Sequence, residues 1–223
     1  MTPPVVLFSS GLDSAVLLAD AAARAGGAQP VYVSAGLAWE AEERLMCERF
    51  LASQPPGSGI RALTSLSLDM RDVYPPSHWA VRGVAPAFDT ADSDVYIEGR
   101  NIVLLSKTAV FVARAGLSTI LIGPLAGNPF PDASREFFAS MSRSLSTGLG
   151  VEIRIEAPFL DLRKAEVIRL GRSLAVPFEL TLSCMQPRDG LHCGECSKCR
   201  ERRDGFTKAR VDDPTRYART PLR

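Results

Sequence analysis

Two clusters in this 223-residue chain hold residues whose type and spacing could do chemistry. The first is Phe8-Ser9-Ser10-Gly11-Leu12-Asp13-Ser14, directly after a short apolar run. Ser9, Ser10 and Gly11 permit a tight turn whose backbone N–H groups face a concavity. The following helix would add its positive N-terminus, and the two together form an anion site. Hydroxyls at Ser9 and Ser14 can supply further donors. Asp13 would not favour a phosphate directly; it would hold Mg²⁺, which neutralises phosphates. The pattern differs from a Walker loop, which carries a Lys after its last Gly. The same residues also read as an ordinary strand-to-helix turn with Ser or Asp as N-cap, and both readings stay open at this level.

The second cluster is Cys184, Cys193, Cys196 and Cys199, spaced C-x₈-C-x₂-C-x₂-C. Two overlapping C-x₂-C steps bring three thiolates within reach of one ion, and Cys184 closes a four-sulfur site of the structural zinc type. Gly194 permits the turn between ligands, and Lys198, Arg200, Arg202 and Arg203 would offset the negative charge. An iron–sulfur cluster and a redox dithiol are the competing readings. His192 reads as an exposed or supporting neighbour, His78 as a loop histidine without a catalytic role, and Cys47 as a packing residue in a helix.

The elements that must position these groups follow from hydrophobic period and breakers. Val5 to Phe8, Val31 to Val33, Ile60 to Leu68, Thr119 to Gly123 and Val151 to Ile155 read as strands. Ala15 to Ala23, Trp39 to Ala52, Asn101 to Ala115 and Leu162 to Leu174 read as helices, each closed by Gly or Pro. Asp132 is placed to cap a helix running through Phe137, Phe138 and Met141. Residues 70 to 94 show no period and read as a long loop, either a lid or without order. The tail after Phe206 reads as helix or disordered. Alternating strands and helices imply an α/β fold with a doubly wound, mostly parallel sheet, whose ligands bind beyond the carboxyl ends of the strands.

Composition sets bounds. Hydrophobic residues make up 46%, enough for an ordinary core, and 26 Lys+Arg against 25 Asp+Glu leave no global positive field for nucleic acid. No apolar stretch is long enough for a membrane helix, and the N-terminus has no basic n-region of a signal peptide. The expected location is cytoplasmic, in agreement with cysteines that form a metal set rather than a disulfide framework.

Phe8 to Ser14 resembles the S-G-G-x-D-S signature of PP-loop ATP pyrophosphatases, with Ser10 where that class usually has Gly. The resemblance narrows along the chain. Tyr96-Ile97-Glu98-Gly99-Arg100-Asn101, Pro131-Asp132, Lys164-Ala165-Glu166, Leu180 to Cys184 and His192 to Cys199 are similar, in the same order, to segments of the 7-cyano-7-deazaguanine synthases. The resemblance implies an adenine nucleotide alpha hydrolase-like PP-loop domain over 1–178 and a zinc-binding C-terminal segment over 179–223. It implies ATP, Mg²⁺ and Zn²⁺ as cofactors and a 7-deazapurine carboxylic acid and ammonia as partners, and it is compatible with a homodimer. In that family ATP adenylates a carboxylate, ammonia displaces AMP to give an amide, and a second ATP drives dehydration to the nitrile. Phe8, Ser9, Ser10, Gly11, Leu12, Asp13, Ser14, Asn101 and Asp132 are then the nucleotide and metal-binding residues. Asp13, Arg100 and Lys164 are the catalytic candidates.

Each of these residues has a plainer reading. Arg100 could sit in a surface salt bridge, Asp132 could only cap its helix, and Lys164 could be a solvated helix lysine. Two loops depart from the family: Ser34 to Glu40 replaces a Tyr-Gly-Gln segment with basic and His residues, and Leu125 to Phe130 lacks an expected Asp. Trp39 could stack on a planar base or belong to the core. Besides the ligase, two further functions fit parts of the chain: a PP-loop relative that activates RNA for thiolation, and a zinc-ribbon nucleic-acid binder carrying Arg200, Arg202, Arg203 and Arg210.

Overall fold

A computed structural model describes residues 2–219. Its centre is one parallel sheet. Val5-Val6-Leu7-Phe8 is apolar on both sides because both faces of a parallel strand are covered by helices. Strand β1 (Val5–Leu7) accordingly sends Val6, with Phe8 just beyond it, to one face and Val5 and Leu7 to the other. Strands β2 (Gln29–Ser34), β3 (Thr64–Ser67), β4 (Thr119–Leu121) and β5 (Arg154–Glu156) complete the order β3-β2-β1-β4-β5, with every pair parallel. The chain winds outward from β1 in both directions, so the connections diverge between β1 and β4. That is the crevice in which ligands of such sheets bind.

Helices α1 (Leu12–Ala25), α2 (Glu40–Ala52), α6 (Lys164–Ser173) and α7 (Ser197–Ala209) cover one face. They share an apolar cluster with Phe8 and Tyr32 that includes Leu12, Val16, Cys47, Phe50, Ile168 and Phe206. Helices α4 (Arg100–Arg114) and α5 (Arg135–Leu149) cover the other, with Leu105, Val112 and Phe138 against Val31, Ile120 and Ile153. A third cluster lies between residues 70–97 and the four cysteines. No helix among the described residues is long and apolar enough to cross a membrane.

The structure departs from sequence expectation at three places and decides a fourth that was open. Residues 70 to 94 are ordered: Tyr74, Trp79 and Ala80 pack with Trp39, and helix α3 (Trp79–Arg82) starts on a His78 side chain that accepts the Ala80 N–H. Their packing comes from distant partners, which a local period cannot report. Strand β5 begins only at Arg154, whose N–H donates across the sheet to Ser118 O, whereas the Ile153 N–H before it donates to Ser146 Oγ of α5. The N-cap of α5 is Ser134, not Asp132; its hydroxyl accepts the Phe137 N–H at 3.1 Å. Of the two readings of the tail after Phe206, helix holds as far as Ala209, on a helix whose inner side carries the buried, hydrogen-bonded Arg202.

Helices α1 and α6 meet through a glycine. A Cβ on Gly171 would lie 2.6 Å from Val16 Cγ2 and 2.7 Å from Phe178 Cζ. Gly171→Ala therefore overpacks this contact, and we expect it to cost about 1–3 kcal/mol. For a chain of this size that lowers the melting temperature by roughly 2–4 °C per kcal/mol in a calorimetric scan; an unchanged melting temperature would contradict the packing described.

Candidate active site

A cleft of about 310 Å³ opens at the carboxyl ends of β1, β2 and β4. Its floor is the turn that β1 must make to enter α1. Ser9, Gly11, Asp13 and Ser14 line it, with the apolar edges of Val31, Val33, Leu104 and Ile122 above. No side chain caps α1, so the free N–H groups and positive dipole at its start remain available to an anion. Ser14 Oγ lies within the turn, accepting the Ser9 N–H at 3.3 Å and donating to Gly11 O at 3.0 Å.

The side chains of Ser10 and Leu12, expected at the ligand, face protein instead. Ser10 is fully buried at φ 58°, a left-handed conformation that costs a residue with a Cβ. Two hydrogen bonds hold it there: its hydroxyl donates to Glu43 O of α2 at 3.2 Å, and its carbonyl accepts the Leu182 N–H at 2.8 Å. Leu12 belongs to the core, and the Phe8 ring packs against Phe50 while also lining the cleft.

Asp13 is mostly buried and meets Lys164, which arrives from the first turn of α6. Lys164 Nζ donates to Asp13 Oδ2 at 2.5 Å and pairs with Glu201 Oε1 of α7 at 2.9 Å. Lys164 is thus an enclosed ammonium between two carboxylates, not a solvated helix lysine. The other Asp13 oxygen, Oδ1, is buried without a partner among the described residues. Burial pushes the Asp13 carboxyl above its usual range, and the adjacent Lys164 ammonium opposes this. The donor set fits a hard divalent cation, because an unsatisfied carboxylate oxygen beside an anion-binding turn is the ligand type such an ion takes.

Arg100 and Asn101 open helix α4 on the opposite wall. Arg100 Nε is buried with no partner among the described residues, so the guanidinium is not spent there in a surface salt bridge. Asp132 accepts the Asn101 backbone N–H at 3.0 Å, and its own carbonyl accepts from Asn101 Nδ2 at 2.9 Å. It therefore caps α4, a helix 31 positions earlier, rather than its own. Tyr96 stacks on Phe130 with centroids 4.9 Å apart and forms an aromatic side of the cleft.

Glu43, absent from the sequence-derived candidates, also lines the cleft. It accepts from Tyr32 Oη at 3.0 Å and Trp39 Nε1 at 3.1 Å. Burial pushes its carboxyl up to about 7, against the opposing pull of Arg100 and these hydrogen bonds. Trp39 is a buried partner of Glu43 and stacks on Trp79 at 5.6 Å, so it is core and not a surface for a base. Glu43 and Glu201 were missed because each sits in a charged helical stretch that reads as a solvated face; only the fold turns them inward.

The four cysteines form one buried group whose sulfurs all lie within 4.8 Å of one another. The Cys184–Cys196, Cys193–Cys199 and Cys196–Cys199 sulfurs are 4.0, 3.9 and 3.5 Å apart. A tetrahedron with zinc–sulfur bonds of about 2.3 Å has edges of about 3.8 Å, so the set fits a single ion. Backbone N–H groups of Gln186 and Cys193 donate to Cys184 Sγ and that of Glu195 to Cys193 Sγ, which supports thiolate charge. His192 is buried rather than exposed, and its Nε2 accepts the Ser183 N–H at 3.1 Å, so it is no ligand. Cys47 is fully buried in the core, and burial pushes its thiol up, away from nucleophilic use. Three of the four arginines that suggested nucleic acid are engaged internally: Arg202 is 1% exposed, Arg200 donates to Phe88 O and Thr90 O, and Arg203 lies over Tyr217, while Arg210 is exposed.

A raised carboxylate in the folded state means the native protein holds its proton more tightly than the unfolded chain does. The stability from Glu43 is therefore present below its unfolded value of 4.5 and lost as pH rises through about 7. Glu43→Gln should flatten the fall in melting temperature between about pH 5 and pH 8 that this group causes. The Gln oxygen can accept from Trp39 while its amide donates to Tyr32. An identical pH profile in wild type and variant would assign the carboxyl an ordinary titration.

Comparison with known proteins adds relatives to this geometry. The family described as Queuosine biosynthesis protein QueC matches residues 4–210. A 7-cyano-7-deazaguanine synthase of Polynucleobacter asymbioticus is 34% identical, with 96% of this chain and 92% of the relative covered. One of Anaeromyxobacter dehalogenans is 36% identical, with 96% and 95% covered. Among solved structures, a tRNA thiolase of Methanococcus maripaludis with its 4Fe–4S cluster superposes with a TM-score of 0.51 at 10% identity, covering 94% of this chain and 71% of that one. That likeness is one of fold alone. Matched by the family model over residues 4–210 and by relatives at 34% and 36% identity over 96% of its length, the chain belongs to the QueC family of queuosine biosynthesis proteins.

Proposed function

We propose that the protein is an ATP-dependent carbon–nitrogen ligase that converts 7-carboxy-7-deazaguanine and ammonia to 7-cyano-7-deazaguanine. The observation that carries this reading is the pairing, in one cleft at the sheet's switch point, of an uncapped helix start and Asp13 on one wall with the unpartnered Arg100 on the other. Family membership and the names of the relatives supply the substrate class.

A carboxylate resists attack by ammonia because an oxide would have to leave. Attack of its oxygen on the α-phosphorus of ATP expels pyrophosphate and converts that oxygen into part of a leaving group, AMP. Ammonia then forms the C–N bond as AMP departs. Adenylation of the amide oxygen by a second ATP, followed by loss of AMP and the remaining N–H protons, gives the nitrile. In this reading the N–H groups at the start of α1, with Ser9, Gly11 and Ser14, bind the phosphates. Arg100 holds the acid or the transferring phosphate, a task suited to a guanidinium. Lys164 neutralises charge at Asp13's end, and Val31, Val33, Leu104 and Ile122 give a planar base an apolar seat. Mg²⁺ would bind at Asp13 and offset phosphate charge. Zn²⁺ would fill the cysteine site as a structural ion. Residues 1–178 serve as the nucleotide unit and 179–223 as the metal-binding segment.

AMP and pyrophosphate release should require the acid and ammonium together with MgATP, and Asp13→Ala should lower the rate by about 10²-fold or more. Product mass separates nitrile from amide. A folded, zinc-loaded protein that releases no acid-dependent AMP would exclude this substrate. Metal analysis should find about one zinc per chain, lost with a drop in melting temperature in Cys199→Ser. Iron and sulfide in equal amounts instead would reassign the site.

A further inference from the structure

The Lys164 ammonium is held by two carboxylates of different origin. Asp13 belongs to the phosphate turn, and Glu201 belongs to α7, two residues beyond the Cys199 thiolate. Nothing in the proposed reaction uses Glu201. Its second oxygen receives Lys198 at 2.7 Å, so the carboxylate is fixed from both sides. A separate observation shows that α7 is shaped around this lysine. A Cβ on Gly205, one turn further along, would lie 2.5 Å from Lys164 Cγ and 3.0 Å from Ile168 Cδ1. The lysine stem therefore runs flush against the α7 backbone and delivers its ammonium to Glu201. On the same helix Arg202 donates to Phe178 O, Thr181 Oγ1 and Ser183 Oγ, so α7 is itself fastened to the segment whose Leu182 N–H bonds the phosphate turn at Ser10.

We infer that Glu201 is a positioning residue for the nucleotide site: it retains the Lys164 ammonium beside the phosphate turn when a divalent cation takes Asp13. The inference rests on the proposed reading of the cleft. A lysine carries its charge on a flexible four-carbon stem. Tied to Asp13 alone, the ammonium would be repelled once a cation coordinated the same carboxylate. A second anion on a helix outside the phosphate turn removes that fault. It leaves Lys164 near both the cation and the phosphates, and makes α7 a wall of the nucleotide site as well as a carrier of metal ligands.

The test is a double-mutant cycle on the full zinc-loaded chain, with the Kd for MgATP measured by calorimetry and zinc content and melting temperature recorded alongside. Glu201→Gln should weaken MgATP about tenfold, the scale of one charge-assisted hydrogen bond, with zinc content unchanged. In a Lys164→Ala background the same substitution should have no further effect on Kd. Glu201→Asp, which keeps the charge, should recover part of the loss, and it carries the same test if E201Q loses zinc. Additive losses from Lys164 and Glu201 would overturn the inference, as would an E201Q protein with wild-type affinity while Lys164→Ala is impaired. If Lys164→Ala itself binds MgATP normally, the reading of the cleft fails at that residue and the inference with it. A weakened Kd that tracks melting temperature in both backgrounds would reduce Glu201 to a structural ion pair.

Discussion

Taking the Lys164 ammonium out of water would cost several kcal/mol if it went alone. Asp13 and Glu201 receive it, and each comes from a different part of the chain. That arrangement constrains much of the architecture around it. Helix α6 must begin where its first residue can reach the turn after β1. Helix α7 must lie close enough for Glu201 to reach the same nitrogen, which Gly205 permits by having no side chain. The apolar packing that accompanies this, with Phe178 and Phe206 edge to face at 5.3 Å, fills the space between the same helices. A buried ion pair contributes little net stability; its consequence here is a defined geometry at the phosphate turn.

The turn itself is held against its own preference. Ser10 adopts a left-handed conformation, and bonds from α2 and from residue 182 over-determine it. The segment around residue 182 is in turn bound by Arg202 and leads into Cys184, a member of the metal group. The four-cysteine site also reaches the opposite wall. The Ser197 N–H donates to Pro86 O, and Arg200 holds the Phe88 and Thr90 carbonyls, fixing the stretch that runs on to Tyr96 and Arg100. One compact four-cysteine group, able to hold a metal ion, thus supports both walls of the cleft without lining it. This explains how a chain of modest size can hold residues from β1, α2, α4 and α6 in one reacting geometry, where small displacements are costly.

Much of this was legible in the residues. The alternation of apolar runs with amphipathic stretches identified a parallel α/β sheet, because such runs are stable only when helices cover both faces. The C-x₈-C-x₂-C-x₂-C spacing pointed to one cluster of four sulfurs able to hold a metal ion, since overlapping short loops bring the thiolates together. The Ser9 to Ser14 turn was marked by its place at a strand's carboxyl end, where ligands of such sheets bind, and Arg100 by the resemblance of its segment to the synthase family. What the chain could not announce was whatever depends on residues far apart in sequence. The inward turn of Glu43 and Glu201, the burial of His192 and Arg202 within polar stretches, the order in residues 70 to 94 and the use of Asp132 to cap α4 depend on how separate elements pack: Glu201 meets Lys164, Arg202 meets Phe178, and Asp132 meets Asn101. A local pattern records the period of an element and the chemistry of a short motif. Which face of a charged helix meets a buried cation is decided only when the helices pack, because desolvation and pairing are properties of the assembled site and not of the segment.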